Sequence, residues 1–306
     1  MITSVNLPCN YLVLYWRSQP FNRPIIKLYK SILFGFAFSP SLKVNILEST
    51  RIAHYLNCKL ILLHVGKKTD KKSAKIENII SETEHSDSCI EVIWQEGNPE
   101  NLITKACLDL NIDLLILGAL QYENMFQFYV GSIARKLTRK VNCSVLLLIK
   151  PKEKRVPCKH VVVNGLDAPE TPMAIEHAFY VSNLLGAQQI TIVEEILPKE
   201  IHIAVEDDRS LKKVNIIKQR IRHREDSRVN NIVCTLPENI TKGIMIKTQS
   251  IFGKRGYSIG HYAEVVRADL LVMNAPLKTS IWNRIFPHDI EYILSDLPTD
   301  LLIVRK

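Results

Sequence analysis

Asp113-Leu-Leu-Ile-Leu-Gly118-Ala119 decides the fold, and the chain writes this phrase twice. Its echo, Asp269-Leu-Leu-Val-Met-Asn274-Ala275, stands 156 positions later. The same offset relates Val145-Leu-Leu-Leu-Ile-Lys150 to Leu301-Leu-Ile-Val-Arg-Lys306. Unbroken Leu/Ile/Val runs without polar alternation mark strands buried on both faces. The two copies are unequal. The first carries Gly118 and then Gly131-Ser132 before a helical stretch; the second has Asn274 and Pro287-His288 at those places. The chain therefore reads as a duplicated domain in which one copy kept part of a phosphate-binding loop and the other lost it.

Outward from this phrase, short apolar runs alternate with longer amphipathic ones. Strands are expected at 31–36, 60–65, 90–94, 114–117 and 145–149. Helices are expected over 41–56, near 74–80, from Asn98-Pro99-Glu100 onward, and over 132–141. Asn98 suits a helix cap and Pro99 the first helical position. A charged connector at 152–156, flanked by Pro151 and Pro157, precedes the second round. There the strands are 160–163, 190–193, 245–249, 270–273 and 301–304, with helices over 171–185, 207–225, 257–266 and 289–294. The first strands of the halves lie 129 positions apart and the last 156, which places an insertion of about 27 residues between the second and third strands of the second half. After the basic helix at 207–225, a loop is expected to about Lys242. Strands separated by helices give right-handed crossovers and parallel sheets. The fold class is α/β: two tandem doubly wound, Rossmann-like domains, each a five-stranded parallel sheet flanked by helices. Residues 1–28 form an N-terminal extension, 29–150 the first domain, 151–157 a linker and 158–306 a degenerate second domain. Tyr11-Leu-Val-Leu-Tyr-Trp16 reads equally as an added edge strand, a docking segment or a tail.

With 306 residues, 46% of them hydrophobic, the chain can bury a sizeable core, and disorder is not expected. The net charge of +9 is spread over scattered basic pairs rather than interleaved with aromatics, which argues against nucleic acid as partner. The face built from Lys212, Lys213, Lys218, Arg220, Arg222, His223 and Arg224 suits a solvated helix better than a polyanion site. Seven cysteines without a C-x-x-C pair imply reduced, mostly buried thiols and a cytoplasmic location. No run is long enough to span a bilayer, no secretory signal is evident, and no close metal-ligand spacing or nucleophile elbow occurs. His64, ending a strand, reads as a packed residue.

Gly118-x-x-Gln121, nine residues, then Gly131-Ser132 resembles the nucleotide loop of the universal stress protein family, Gly-x-x-Gly-x9-Gly-Ser/Thr. Leu62-Leu-His-Val65, Gly97-Asn-Pro-Glu100, Gly131-Ser-Ile-Ala-Arg135 and Cys143-Ser-Val-Leu146 resemble that family in the same order. The likeness is good over 29–150 and weaker over 158–306. It implies a site at the carboxyl edge of the sheet, where Gly118 admits a phosphate and the helix after Gly131 offers free N–H groups. Family members that bind ATP carry an Asp just after the first strand; here that position aligns with Ala37, and the second motif glycine is Gln121. In the second half the acidic position aligns with Leu166, beside Asp167, and the glycines become Asn274, Leu277 and Pro287. Trp282-Asn-Arg-Ile-Phe-Pro-His-Asp289 is expected to fill the old cavity with side chains. The candidate cofactor-binding residues are Gly118, Gln121, Gly131, Ser132 and Ala37, with ATP or another adenine nucleotide as the ligand the resemblance implies. No catalytic or metal-ligating residue is assigned. The resemblance implies a non-catalytic stress-response or signalling protein working through protein contacts, or alternatively a nucleotide-gated switch with slow ATP hydrolysis. The expected partners are the chain's own second half, in an internal pseudo-dimer joined by 145–149 and 301–304, then a homodimeric copy and an unidentified protein.

Overall fold

In the computed structural model, the described residues are 27–83, 89–121, 128–201, 206–275 and 288–305. The first half builds β1 (Ser31–Phe36), α1 (Leu42–Tyr55), β2 (Lys59–Val65), α2 (Asp70–Ser81), β3 (Ile90–Gln95), α3 (Pro99–Asp109) and β4 (Leu114–Gly118). A short hairpin follows, β5 (Leu120–Gln121) and β6 (Phe128–Tyr129), then α4 (Ser132–Lys140) and β7 (Ser144–Leu148). The second half runs β8 (His160–Asn164), α5 (Thr171–Leu185), β9 (Gln189–Ile196), α6 (Asp208–Thr235), α7 (Glu238–Thr241), β10 (Met245–Phe252), α8 (Tyr257–Val265), β11 (Leu270–Asn274), α9 (His288–Ser295) and β12 (Asp300–Val304).

Ten strands form one sheet in the order β10-β9-β8-β11-β12-β7-β4-β1-β2-β3. Each half contributes five parallel strands, and β12 and β7 join them antiparallel, with Leu302 opposite Leu146. The expected pairing of the two terminal strands is thus present. It buries what would be two exposed edges. Neighbouring residues on a strand face opposite sides: Ile32 and Phe34 enter one core layer and Leu33 the other. Both layers run across both halves, so the halves share their core.

The repeated aspartates explain why the phrase survived. Asp113 Oδ2 accepts from the backbone N–H of Lys30 (2.8 Å) and Ser31 (3.0 Å). Asp269 Oδ2 accepts from Lys159 (2.7 Å) and His160 (3.0 Å). Each carboxylate ties the start of its half's first strand to the start of its fourth. The caps follow the sequence as well: Asn98 accepts from Asn101 N–H at 3.1 Å ahead of Pro99.

Three expectations need correction. The insertion lies between β9 and β10 as expected, but residues 226–235 are not loop. They extend the basic helix to 28 residues. Val229 is buried and Ile232 and Val233 pack against the core, so the apolar stripe continues until Leu236-Pro237. The hairpin of β5 and β6 was not anticipated; two residues per strand leave too little pattern to read. Cys89 and Cys234 are exposed, while Cys58, Cys107 and Cys143 are buried as expected. Most of the Trp282–Asp289 segment lies outside the described residues.

Candidate functional site

The first half has a cleft of about 350 Å3 at the carboxyl edge of β1 and β4. Ala37, Gly118, Gly131 and Ser132 all line it, together with Ser39, Ser41 and Asn45 from the turn into α1. Four of the five sequence candidates therefore meet at one cavity. Gln121 lies in the hairpin strand β5 between Gly118 and Gly131, its backbone opposite Phe128. At Gly118 the approach is close: a Cβ there would sit 3.1 Å from Asn45 Nδ2. At Gly131 a Cβ would stand 2.9 Å from Leu120 Cδ1.

Gly131 caps α4 without a side-chain acceptor, and no acid occupies the first turn. The opening N–H groups of α4 and the positive end of its dipole therefore favour an anion in the cleft. Asn45 was not singled out from sequence. It is 5% exposed, donates from Nδ2 to Ser41 Oγ at 3.2 Å, and its Oδ1 has no partner among the described residues. The signal was a polar residue on the buried stripe that α1 shares with Leu42, Ile46 and Ser49. A buried oxygen without a donor is costly unless a ligand or water supplies one.

Beside the cleft, aromatic rings are packed together. His64 contacts Phe36 (5.3 Å), Phe38 (4.9 Å) and Trp94 (5.1 Å), ring centre to ring centre. His64 is buried as expected, with Nδ1 3.1 Å from the Phe36 carbonyl oxygen. Ala37 is exposed and brings no carboxylate to this edge.

The corresponding edge of the second half is occupied by its own side chains. Arg228, reaching from α6, bonds the Gly165 carbonyl at the end of β8 and pairs with Glu194 (2.5 Å) and Glu225 (2.8 Å). Burial pushes the Glu194 carboxyl up to about 7, against the pull of Arg228. Glu195, 1% exposed, accepts from Gly256 N–H (2.9 Å) and Ile259 N–H (2.8 Å) and so neutralises the N-terminus of α8 with the protein's own carboxylate. Asp167 stays exposed, 3.9 Å from Arg228 at the rim of this cluster. The run of acids and the arginine one long helix away gave no sequence signal, because the insertion brings them together.

The loop that carries Gly131 also leans on the second half. Val130 N–H donates to the Leu294 carbonyl at 3.3 Å, and Arg135 Nη2 to the same oxygen at 3.1 Å. Arg135 and Arg139 both pair with Glu291 of α9.

Two doubly wound halves fused through their last strands define a tandem α/β fold, with a glycine-serine cleft among the described residues of the first half. The universal stress protein family model matches residues 28–148, so the first half of the chain is similar to that family. No curated sequence matches the chain. Among solved structures, the functionally unknown protein PA1789 from Pseudomonas aeruginosa PAO1 is similar along nearly the whole length. It shows 14% identity and a TM-score of 0.65 and covers 91% of this chain and 93% of that one. A universal stress protein from Archaeoglobus fulgidus DSM 4304 shows 18% identity and a TM-score of 0.61, covering 90% of this chain and 98% of that one. At these identities the likeness shows the tandem fold. No helix among the described residues is long and apolar enough to cross a membrane.

Proposed function

We propose that the protein is a non-catalytic stress-response and signalling protein that works through protein contacts, with at most a partial nucleotide site in its first half. The chemistry of the cleft wall carries this reading. Among the described residues lining it, none has an ionisable side chain. Phosphoryl transfer needs a group that positions the attacking water and charges that stabilise the transferring phosphoryl. Here the wall offers hydroxyls, one amide and backbone N–H groups. These suit holding a phosphate but not cleaving it. The aromatic cluster and Ala37 remove the polar partner an adenosine would use.

The second reading, a nucleotide-gated switch with slow hydrolysis, draws on Gly118, Gly131-Ser132 and the orphan Asn45 oxygen. Single-turnover incubation with ATP and magnesium separates the two. The proposed reading expects no ADP above the level of Gly131→Trp, whose indole would fill the cleft. ADP formed by the parent protein and lost in that variant would overturn it. A reducing, cytoplasmic compartment suits the six described cysteines, all free thiols. A homodimer would use a surface other than β7 and β12, which already satisfy each other.

A further inference from the structure

A second and larger cavity, of about 850 Å3, lies where the halves meet and shares no lining residue with the first cleft. Its volume is within the range of small-molecule sites, which favour domain boundaries. Its floor is apolar: Leu146 and Leu148 of β7, Leu302 of β12, and Val181 and Leu185 of α5. Along one wall stand Arg51 of α1 and Lys152 and Arg155 of the linker. Arg51 is 6% exposed. Its Nη1 donates to the Glu153 carbonyl at 2.6 Å, and its Nη2 pairs with Glu48 at 2.6 Å and with the Lys152 carbonyl. Its Nε has no partner among the described residues. Arg155 lies over the Tyr55 ring, 4.8 Å from its centre, which holds a second guanidinium on this wall. Asp300 also lines the chamber; it accepts from Ile149 N–H at 2.7 Å, and burial pushes its carboxyl up to about 7.

We infer that this inter-half chamber binds a small amphipathic organic acid, with its apolar body on the leucine floor and its carboxylate on Arg51 Nε. The argument rests on three features that converge. The chamber is roomy and joins an apolar floor to a charged rim, which suits an amphipathic guest. A guanidinium N–H buried without an acceptor is a standing cost that a carboxylate removes through a charge-assisted bond. The planar donor set of arginine also matches a carboxylate better than a neutral hydroxyl. Both halves furnish the walls, so the degenerate second half contributes to this site although its own nucleotide loop is eroded.

The test is calorimetric titration of the full chain with 2-naphthoate and, separately, with the neutral 2-naphthylmethanol. One-to-one binding of the acid is expected, at least about tenfold tighter than that of the alcohol. Leu185→Trp, at a half-buried position on the floor, is expected to abolish it. Val156→Trp, on the exposed linker edge of the chamber, is expected to weaken it without touching the core. Thermal melts of both variants check that they fold. Absence of binding at about 1 mM acid, equal affinity for acid and alcohol, or undiminished binding in two folded variants would each overturn the inference.

Discussion

Tyr29 and His177 meet across the two halves, with the phenol oxygen 2.8 Å from His177 Nδ1 and both rings buried. The phenol and the imidazole nitrogen share one hydrogen bond that needs no charge on the ring. Burial pushes the His177 pKa down to about 4. The unfolded chain protonates this histidine below about 6.5, and the folded chain resists until about 4. Stability from this group is therefore complete above pH 6.5 and declines as pH falls toward 4, by up to about 3 kcal/mol. The raised Glu194 and Asp300 carboxyls act in the opposite sense, gaining relative stability as pH drops below 7. The diagnostic is thus a difference. Urea unfolding at pH 7 and pH 4.5 should show a smaller acid loss in His177→Gln than in the parent; equal losses would refute the assignment. The repeated aspartates make a second residue-level prediction. Asp113→Ala and Asp269→Ala each strand two backbone N–H groups and should each cost about 2 kcal/mol. A cost in one half alone would mean that their shared role is wrong. The aspartates were plain in the sequence as a repeat, but their task was not, since each bonds a segment about 80 to 110 positions away.

At the scale of elements, α4 and α9 cross the pseudo-twofold with complementary charge. Arg135 and Glu291 are 156 positions apart, so they occupy equivalent sites in the two halves. In a symmetric pair of identical halves the same residue would face its own copy. Duplication allowed one position to become basic and the other acidic, and Glu291 now takes both Arg135 and Arg139. Glu291→Arg should therefore cost about 1–2 kcal/mol through lost attraction and new repulsion. The double exchange with Arg135→Glu should recover part of it; a double variant as unstable as the single would contradict the pairing. Element legibility followed the strength of the local pattern. All ten strands of the sheet overlap the places where the sequence put them, most of them on continuous aliphatic runs. The C-terminal part of α6 was missed because its polar residues outnumber the few apolar ones that face the core. The cleft was legible where glycines and Ser132 carried it. Asn45 and Arg228 were not, because their partners come from other elements.

For the whole molecule, both core layers pass through β7 and β12 without a break. Such a core predicts one cooperative unfolding transition, rather than two, when tryptophan fluorescence and far-ultraviolet circular dichroism are followed together in urea. Two separated transitions would show that the halves fold as independent units. The second half then has a structural part to play even though its own strand edge is filled by Arg228 and Glu195. It supplies Leu294, whose carbonyl holds the loop of the first-half cleft, and one wall of the inter-half chamber. The central claim is that the surviving cleft is a reduced pocket rather than a working nucleotide site. Calorimetric titration with ATP, ADP and AMP, on the parent chain and on Gly131→Trp, tests it most directly. The account predicts no micromolar affinity for any of the three in the parent; micromolar binding that Gly131→Trp abolishes would contradict it.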